Sequence, residues 1–351
     1  MAKPAPFHTP VTGPGDRPAA AAVHTPATGP GDPPVVIGLG PVDPGLVSGV
    51  FAGRCRFVAE PGPADLAVAA GAVVRAEATV DADLLDRAPD LRVLARTGVG
   101  VDRVDVAAAT ERGIAVVITP GAGAAAVAEG AIGMALHLVK RFGPLTDLVR
   151  QGRWAERAAV PVGDLDGATL GVVGYGRIGR RAADLGAAFG MTVLAYDPAA
   201  DVPAGRSCAS LGELAAASDV ITLHLPLTGQ TRHIVDDAFL TGVRPGAILI
   251  NCGRGALIDT DSVWRALCSG RLGGVGLDVF DPEPPAPHPL YRHPDVVLTP
   301  HLMGLSGRAT AATFTAAAQG ILDVLGGREP QAVANPTWRT RGQGTAKEIH
   351  P

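Results

Sequence analysis

Lysine is almost missing from this chain. Of 30 basic residues only Lys3, Lys140 and Lys347 are lysines, and 34 acidic residues bring the net charge to −4. That balance leaves no basic surface of the size that nucleic acid demands. Aromatic residues make up 4%, too few for a recognition stripe. The four cysteines, Cys55, Cys208, Cys252 and Cys268, lie far apart without CxxC or CxxxC spacing. That distribution argues against a zinc motif or a disulfide framework and suits free thiols in a reducing compartment. No apolar run approaches ~18 residues, so no membrane-spanning helix is expected. No basic segment followed by an apolar one opens the chain, so no secretory signal is expected. The expectation is a cytoplasmic protein that touches neither nucleic acid nor membrane and needs no metal.

What is abundant is apolar and small: 47% hydrophobic residues, 46 glycines and 31 prolines in 351 residues, the pattern of a GC-rich genome. The length suffices for two domains with their own cores. Residues 1–34 stand apart, because His8-Thr9-Pro10-Val11-Thr12-Gly13-Pro14-Gly15-Asp16 recurs as His24-Thr25-Pro26-Ala27-Thr28-Gly29-Pro30-Gly31-Asp32. A polar Pro/Gly-rich duplication cannot bury a core and reads as a disordered tail. Residues 338–351 read the same way.

From Val35 short β-branched runs alternate with Ala-rich helical stretches. Val35–Leu39, Ala72–Arg75, Arg92–Arg96 and Ala115–Ile118 read as buried parallel strands, with helices at Pro63–Ala70, Asp81–Ala88 and Val104–Arg112. Ala124–Gln151 reads as one long helical connection. A second set of strands follows at Thr169–Val173, Thr192–Tyr196, Val220–Leu223, Ala247–Asn251, Gly274–Asp278 and Val296–Leu298, and Ser306–Leu325 reads as a last helix. Alternating β and α implies parallel, doubly wound sheets.

Gly174-Tyr175-Gly176-Arg177-Ile178-Gly179 has G-x-G-x-x-G spacing. Alone this is weak in so glycine-rich a chain. Its context strengthens it: an apolar run precedes it, a helical stretch opens at Arg177, and the next strand ends at Asp197. The glycines serve a tight turn at Gly174, close approach of backbone to pyrophosphate at Gly176, and helix–strand packing at Gly179. A helix N-terminus there attracts phosphate. A carboxylate about 20 residues on accepts hydrogen bonds from the adenosine ribose and repels a 2′-phosphate, so NAD is expected over NADP. Arg206 is the one nearby residue that could soften that preference.

Three segments carry candidate chemistry: Asn251-Cys252-Gly253-Arg254-Gly255, Asp278-Val279-Phe280-Asp281-Pro282-Glu283-Pro284 and Thr299-Pro300-His301. Each follows an expected strand, at the carboxyl edge where α/β folds place their sites. Reducing a 2-oxo acid takes a cation to hold the carboxylate and an acid to protonate the developing alkoxide. The planar fork of Arg254 suits the first task, and the imidazole of His301, titrating near neutrality, the second. Glu283 beside the imidazole would fix its tautomer. Singly, such residues are ordinarily surface or turn groups; together they divide one reaction among them. His137, His233, His288 and His293 have no such support, and Cys252 reads as a small packed residue near the cofactor.

In these motifs the chain closely resembles the D-isomer-specific 2-hydroxyacid dehydrogenases, from about Val35 to Pro336. The resemblance implies a Rossmann-type domain (131–305) inserted into a smaller flavodoxin-like α/β substrate domain (35–130 and 306–337). It implies that Arg254 anchors substrate, that His301 is the acid/base with Glu283 as partner, and that Asp278 contacts the nicotinamide carboxamide. By the same resemblance His224-Leu225-Pro226-Leu227 with Thr231 forms a loop beside the cofactor. The N–H groups of Gly98-Val99-Gly100-Val101-Asp102 would hold the substrate carboxylate, and a homodimer is expected. Arg75-Ala76 and Arg96 resemble the phosphoglycerate-dehydrogenase branch, where paired arginines lie near a phosphate; both could instead pair with acids between strands. The chain departs from that branch at Ala76, at Arg103, and at the Gly121–Ala126 segment, and Glu77 adds a negative charge. No appended regulatory domain is expected. A phosphorylated 2-hydroxy acid such as 3-phosphoglycerate is thus the expected substrate. Glyoxylate or hydroxypyruvate reduction, or a non-catalytic NAD-sensing role, are the alternatives, and formate and phosphite dehydrogenases fit the loops less well.

Overall fold

The computed structural model describes residues 32–341; the duplicated segment and the end of the chain lie outside them. β1 (Val35–Leu39), β2 (Arg56–Val58), β3 (Ala69–Val74), β4 (Val93–Arg96) and β5 (Ala115–Val117) form one parallel sheet in the order β2-β1-β3-β4-β5. This is the flavodoxin-like order. β6 (Thr169–Val173), β7 (Thr192–Tyr196), β8 (Val220–Leu223), β9 (Ala247–Asn251), β10 (Leu272–Leu277) and β11 (Val296–Leu298) form a second parallel sheet ordered β11-β10-β9-β8-β6-β7. Beyond β7 a single parallel bridge, Ala195 to Ser207, stands where a dinucleotide-binding fold carries its outermost strand.

Both sheets are covered on both faces, as strands with near-continuous apolar sequence require. In the first sheet Val36, Val73, Val93 and Val117 face one core, while Ile37, Val74, Leu94 and Val116 face another. Helix Gly307–Leu325 returns to the first sheet after the second is complete, placing Phe314, Ala317 and Ile321 in its core. The approach is close, because a Cβ on Gly71 of β3 would lie 3.1 Å from Ile321 Cγ2. The second domain is therefore inserted within the first.

The chain then seals the edge of β5. Val333 bridges Val117 in antiparallel fashion. Asn335, 4% exposed, accepts from Val116 N–H and donates to Ile114 O and the Thr110 hydroxyl. Trp338 is buried in the same core and opens a short helix, Trp338–Arg341, so ordered structure runs into the stretch read from sequence as tail.

The expected long connection is two helices, Ala124–Val139 and Phe142–Arg150. Arg141 separates them at φ 54, with its guanidinium 2.7 Å from Asp295 ahead of β11. Ile132, Met134, Ala135 and Leu138 of the first helix pack in the core of the second sheet. The two connections between domains run back to back, since a Cβ on Gly123 would lie 3.1 Å from Gly304 O. Among the described residues no helix is long and apolar enough to cross a membrane, and no group of three or more His, Cys, Asp or Glu side chains is placed to hold a metal.

Candidate active site

The glycine-rich turn lies between β6 and the helix Arg177–Ala188, where β7 and β8 diverge on either side of β6. Gly174 sits at φ 95, and a Cβ there would come within 2.8 Å of the His224 backbone. A Cβ on Gly179 would lie 1.9 Å from Gly174 O, whereas one on Gly176 meets nothing within 4 Å. The first and third glycines thus answer to the chain itself, and the second faces open space. Gly176 also caps the helix with no side-chain acceptor, so the N–H groups of Arg177, Ile178 and Gly179 remain for an anion.

Asp197 stands at the end of β7. Its carboxylate accepts from Tyr175 N–H at 2.7 Å and from Ala199 and Ala200 N–H at 2.8 and 3.1 Å, so it also ties the turn to the neighbouring strand. Arg206 is engaged elsewhere, with the Tyr175 hydroxyl at 3.1 Å and Asp184 at 3.7 Å.

His224 follows β8. Its Nε2 meets the Thr222 hydroxyl at 3.0 Å and its Nδ1 is buried without a partner. Burial pushes its imidazole down to about 4. Thr231 bonds to Pro226 O and Thr228 N–H, both at 2.7 Å, and so shapes the loop from Pro226 to Thr231. Cys252 is 7% exposed, and burial, then the nearby Asp278 charge, push its thiol up to about 12. That thiol is packing, not nucleophile. An orphaned imidazole nitrogen, an open Gly176 and an uncapped helix end fit a dinucleotide.

Arg254 and the Glu283 segment are pressed together by the glycine between them. A Cβ on Gly255 would lie 1.9 Å from the Phe280 carbonyl carbon, so no other residue lets β9's loop pack on β10's. Glu283 is anchored by Phe280 N–H at 3.0 Å. Its two oxygens lie 3.0 and 2.9 Å from His301 Nδ1, which leaves Nε2 of a half-exposed ring free. His301 itself adopts φ 55, a left-handed conformation that costs about 1–2 kcal/mol for a residue with a Cβ. Asp278 supplies the restraint. It accepts from the Thr299 hydroxyl at 2.6 Å and from Leu302 and Met303 N–H at 3.0 and 3.3 Å. Burial pushes its carboxyl up, opposed by those hydrogen bonds. The residue expected beside the nicotinamide carboxamide is thus buried beneath the His301 turn.

On the facing domain the loop after β4 is pulled inward by its carbonyls. Gly98 O accepts from Thr119 N–H, and Gly100 O accepts from Arg96 Nε at 2.7 Å. Among the described residues the N–H groups of Gly98, Val99 and Gly100 have no partner. A row of free amides is an anion site. Arg96 also donates to Val74 O and Arg75 O and is 6% exposed. Its place is therefore behind the loop, where it holds main chain; the expectation that it meets a substrate phosphate loses its support. Burial, then Arg254, depress its guanidinium. Arg75 stacks over the Phe314 ring at 5.5 Å, with Glu77 at 4.0 Å and the Thr97 hydroxyl at 3.4 Å. Ala76 offers that pocket only a methyl group.

Two contacts across the cleft escaped the sequence reading. Arg254 Nε donates to Asp102 at 3.1 Å, and Arg103 donates to the Glu283 carbonyl at 3.3 Å; within its own domain Arg103 also donates to the Glu77 carbonyl at 3.4 Å. Nothing local in the sequence marks the first of them, a pairing 152 residues apart.

Residues 132–303 match the family model "D-isomer specific 2-hydroxyacid dehydrogenase, NAD binding domain". The chain is 39% identical over 236 residues to a hydroxypyruvate reductase of Thermotoga maritima, covering 66% of this chain and 76% of that protein. It is 38% identical over 268 residues to a D-3-phosphoglycerate dehydrogenase of Methanocaldococcus jannaschii, covering 75% of this chain and 51% of that protein. It thus spans about half the length of that relative. A crystal structure of D-lactate dehydrogenase from Aquifex aeolicus with NAD and lactic acid superposes with TM-score 0.74 at 28% identity, covering 84% of this chain and 96% of that one. An inserted dinucleotide fold, a carboxylate-backed imidazole and an arginine facing a row of free amides agree with these likenesses, and the chain belongs to the D-isomer specific 2-hydroxyacid dehydrogenases.

Proposed function

We propose that the protein is an NAD-dependent D-2-hydroxyacid dehydrogenase acting on a small 2-hydroxy or 2-oxo acid. The observation that carries this reading is the Glu283–His301 pair at 2.9 Å, which shares the cofactor-domain wall of the cleft with Arg254, the Gly98–Gly100 amides standing on the other wall. When bound, the nicotinamide supplies or receives the hydride at C2. Arg254 and the loop amides hold the substrate carboxylate. Glu283 takes the Nδ1 proton of His301 as a hydrogen bond, so that Nε2 gives a proton to the C2 oxygen in reduction and removes it in oxidation. Approach of the two domains excludes water. Asp197 supports NAD over its phosphorylated form, with Arg206 already paired.

A phosphorylated substrate such as 3-phosphoglycerate was the expectation from sequence. The geometry supports an acid without phosphate better, such as glyoxylate or hydroxypyruvate: Arg96 is spent on carbonyls, and Arg75 shares its pocket with Glu77. A homodimer in the cytoplasm belongs to the same reading. Phe142, Val149, Trp154 and Val162, exposed along one segment, support the dimer, and light scattering of the purified protein measures it.

The test is NADH oxidation across a panel of 2-oxo acids with and without phosphate, the wild type beside His301→Ala and Arg75→Ala. Turnover of the small acids that survives Arg75→Ala and is lost in His301→Ala supports this assignment. Turnover of phosphorylated acids alone, lost in both variants, returns it to the phosphoglycerate branch. Tight NADH binding without turnover of any acid would defeat the enzymatic reading in favour of an NAD-sensing protein.

A further inference from the structure

We propose that Asp102 is a positioning residue for Arg254: it reaches from the substrate domain to fix the guanidinium of the cofactor domain, so that cleft closure and arginine orientation become one event. The inference rests on the dehydrogenase reading above.

Arg254 is held from two sides. Its Nη1 donates at 2.7 Å to Gly253 O, within its own loop. Its Nε donates at 3.1 Å to Asp102 Oδ2, on the opposite domain. A guanidinium has five N–H donors in a rigid plane, so fixing these two sets the direction of the rest. The remaining edge lies over Gly100, where a Cβ would come within 2.1 Å of Arg254 Nη2 and 2.9 Å of Asp102 Oδ2. Only glycine lets the ion pair settle there, directly beside the free amides of Gly98, Val99 and Gly100. The arginine therefore offers its unspent donors to the same anion as the loop.

Fold stability does not explain the pair. Asp102 is 50% exposed and Arg254 28% exposed, and ion pairs this wet contribute about 0–1 kcal/mol. Catalysis responds to placement far more steeply, since a shift of about 1 Å in a positioning group can cost about a hundredfold. The adjoining Arg103 strengthens the argument, because it meets the Glu283 carbonyl at 3.3 Å. Two consecutive residues of one loop thereby grip two of the three segments that carry the chemistry, those of Arg254 and Glu283. The rival role for Asp102 is a stand-in for the substrate carboxylate, displaced on binding. The two roles separate kinetically: loss of a stand-in lowers KM and leaves kcat, whereas loss of a positioning group lowers kcat.

Steady-state kinetics of the wild type, Asp102→Ala and Asp102→Asn with the best 2-oxo acid test this, alongside NADH affinity by fluorescence titration. The expected result is a kcat about tenfold or more lower in Asp102→Ala. Asp102→Asn should recover most of it, because its amide oxygen still accepts from Nε, and NADH affinity should be unchanged in both. An Asp102→Ala enzyme with wild-type kcat and a lower KM would overturn the proposal in favour of the stand-in. An Asp102→Asn enzyme as slow as Asp102→Ala would overturn it too, since the retained acceptor then counts for nothing. A wild type silent with every acid would defeat the dehydrogenase reading and this inference with it, an outcome that no Asp102 variant can mimic.

Discussion

The Asp278 carboxylate lies 3.0 Å from the main-chain N–H of Leu302, one residue past His301, and so fixes the turn from which the imidazole projects. Asp278→Asn replaces half of that acceptor with an amide that opposes the N–H groups facing it. The expected cost is about 1–3 kcal/mol of stability and a fall of about ten- to a hundredfold in kcat/KM. Thermal melts and kinetics on one preparation measure both. An Asp278→Asn enzyme with normal kcat/KM would show that His301 holds its position unaided.

Gly174 and Gly176 should fail in different ways. Gly174→Ala forces a Cβ to φ 95 and within 2.8 Å of the His224 backbone, so the free protein should lose about 1–3 kcal/mol. A Cβ on Gly176 meets nothing within 4 Å, so Gly176→Val should melt like the wild type, yet bind NADH at least about tenfold more weakly because its side chain fills the pyrophosphate approach. Calorimetry without and with NADH separates the two. Equal NADH affinity in Gly176→Val would place the pyrophosphate elsewhere.

Arg96 is expected to matter through the main chain that it holds. Arg96→Met removes the donor from Gly100 O, Val74 O and Arg75 O and should let the Gly98–Gly100 loop relax. KM for the acid should rise about tenfold, while NADH affinity stays at the wild-type value. A larger loss for phosphorylated acids than for small ones would instead mark Arg96 as a direct phosphate ligand.

His224 ties stability to pH. Its imidazole sits at about 4 in the folded protein against an ordinary 6.5. Between those values the unfolded chain binds a proton that the folded chain refuses, so the folded state loses ground as pH falls from about 6.5 to about 4. Above that window the contribution is complete. Denaturant melts at pH 7 and pH 5 should therefore show a smaller loss in His224→Asn than in the wild type. Identical losses would mean that other groups govern the acid limb.

Much of this architecture was legible because its signals are local. β1, β6, β7, β8, β9 and β11 fall where their β-branched runs stand, and the segments of Arg254, Glu283 and His301 follow strand ends. β2 was not visible, since Arg56–Val58 is three half-buried residues with no alternation to read. The break at Arg141 was hidden as well, because its left-handed backbone accompanies an ion pair with Asp295, far along the chain. Trp338 reads as the start of a tail because what holds it, Asn335 and Val333 pinned to β5, is set by distant pairings. Arg96 misled for a related reason: a guanidinium in a cleft motif looks the same in sequence whether it faces substrate or carbonyls. The pairing of Asp102 with Arg254 belongs wholly to tertiary structure.

The contact between Gly123 and Gly304 bears on how the molecule moves. Two tethers that also meet at Gly130 and Met303 act like the pin of a pair of scissors: the blades swing about it but do not slide past one another. Each closing stroke then brings the same residues face to face, in the same alignment, without a separate search. A side chain at Gly123, whose Cβ would lie 3.1 Å from Gly304 O, would pry the tethers apart and turn the pin into a loose joint.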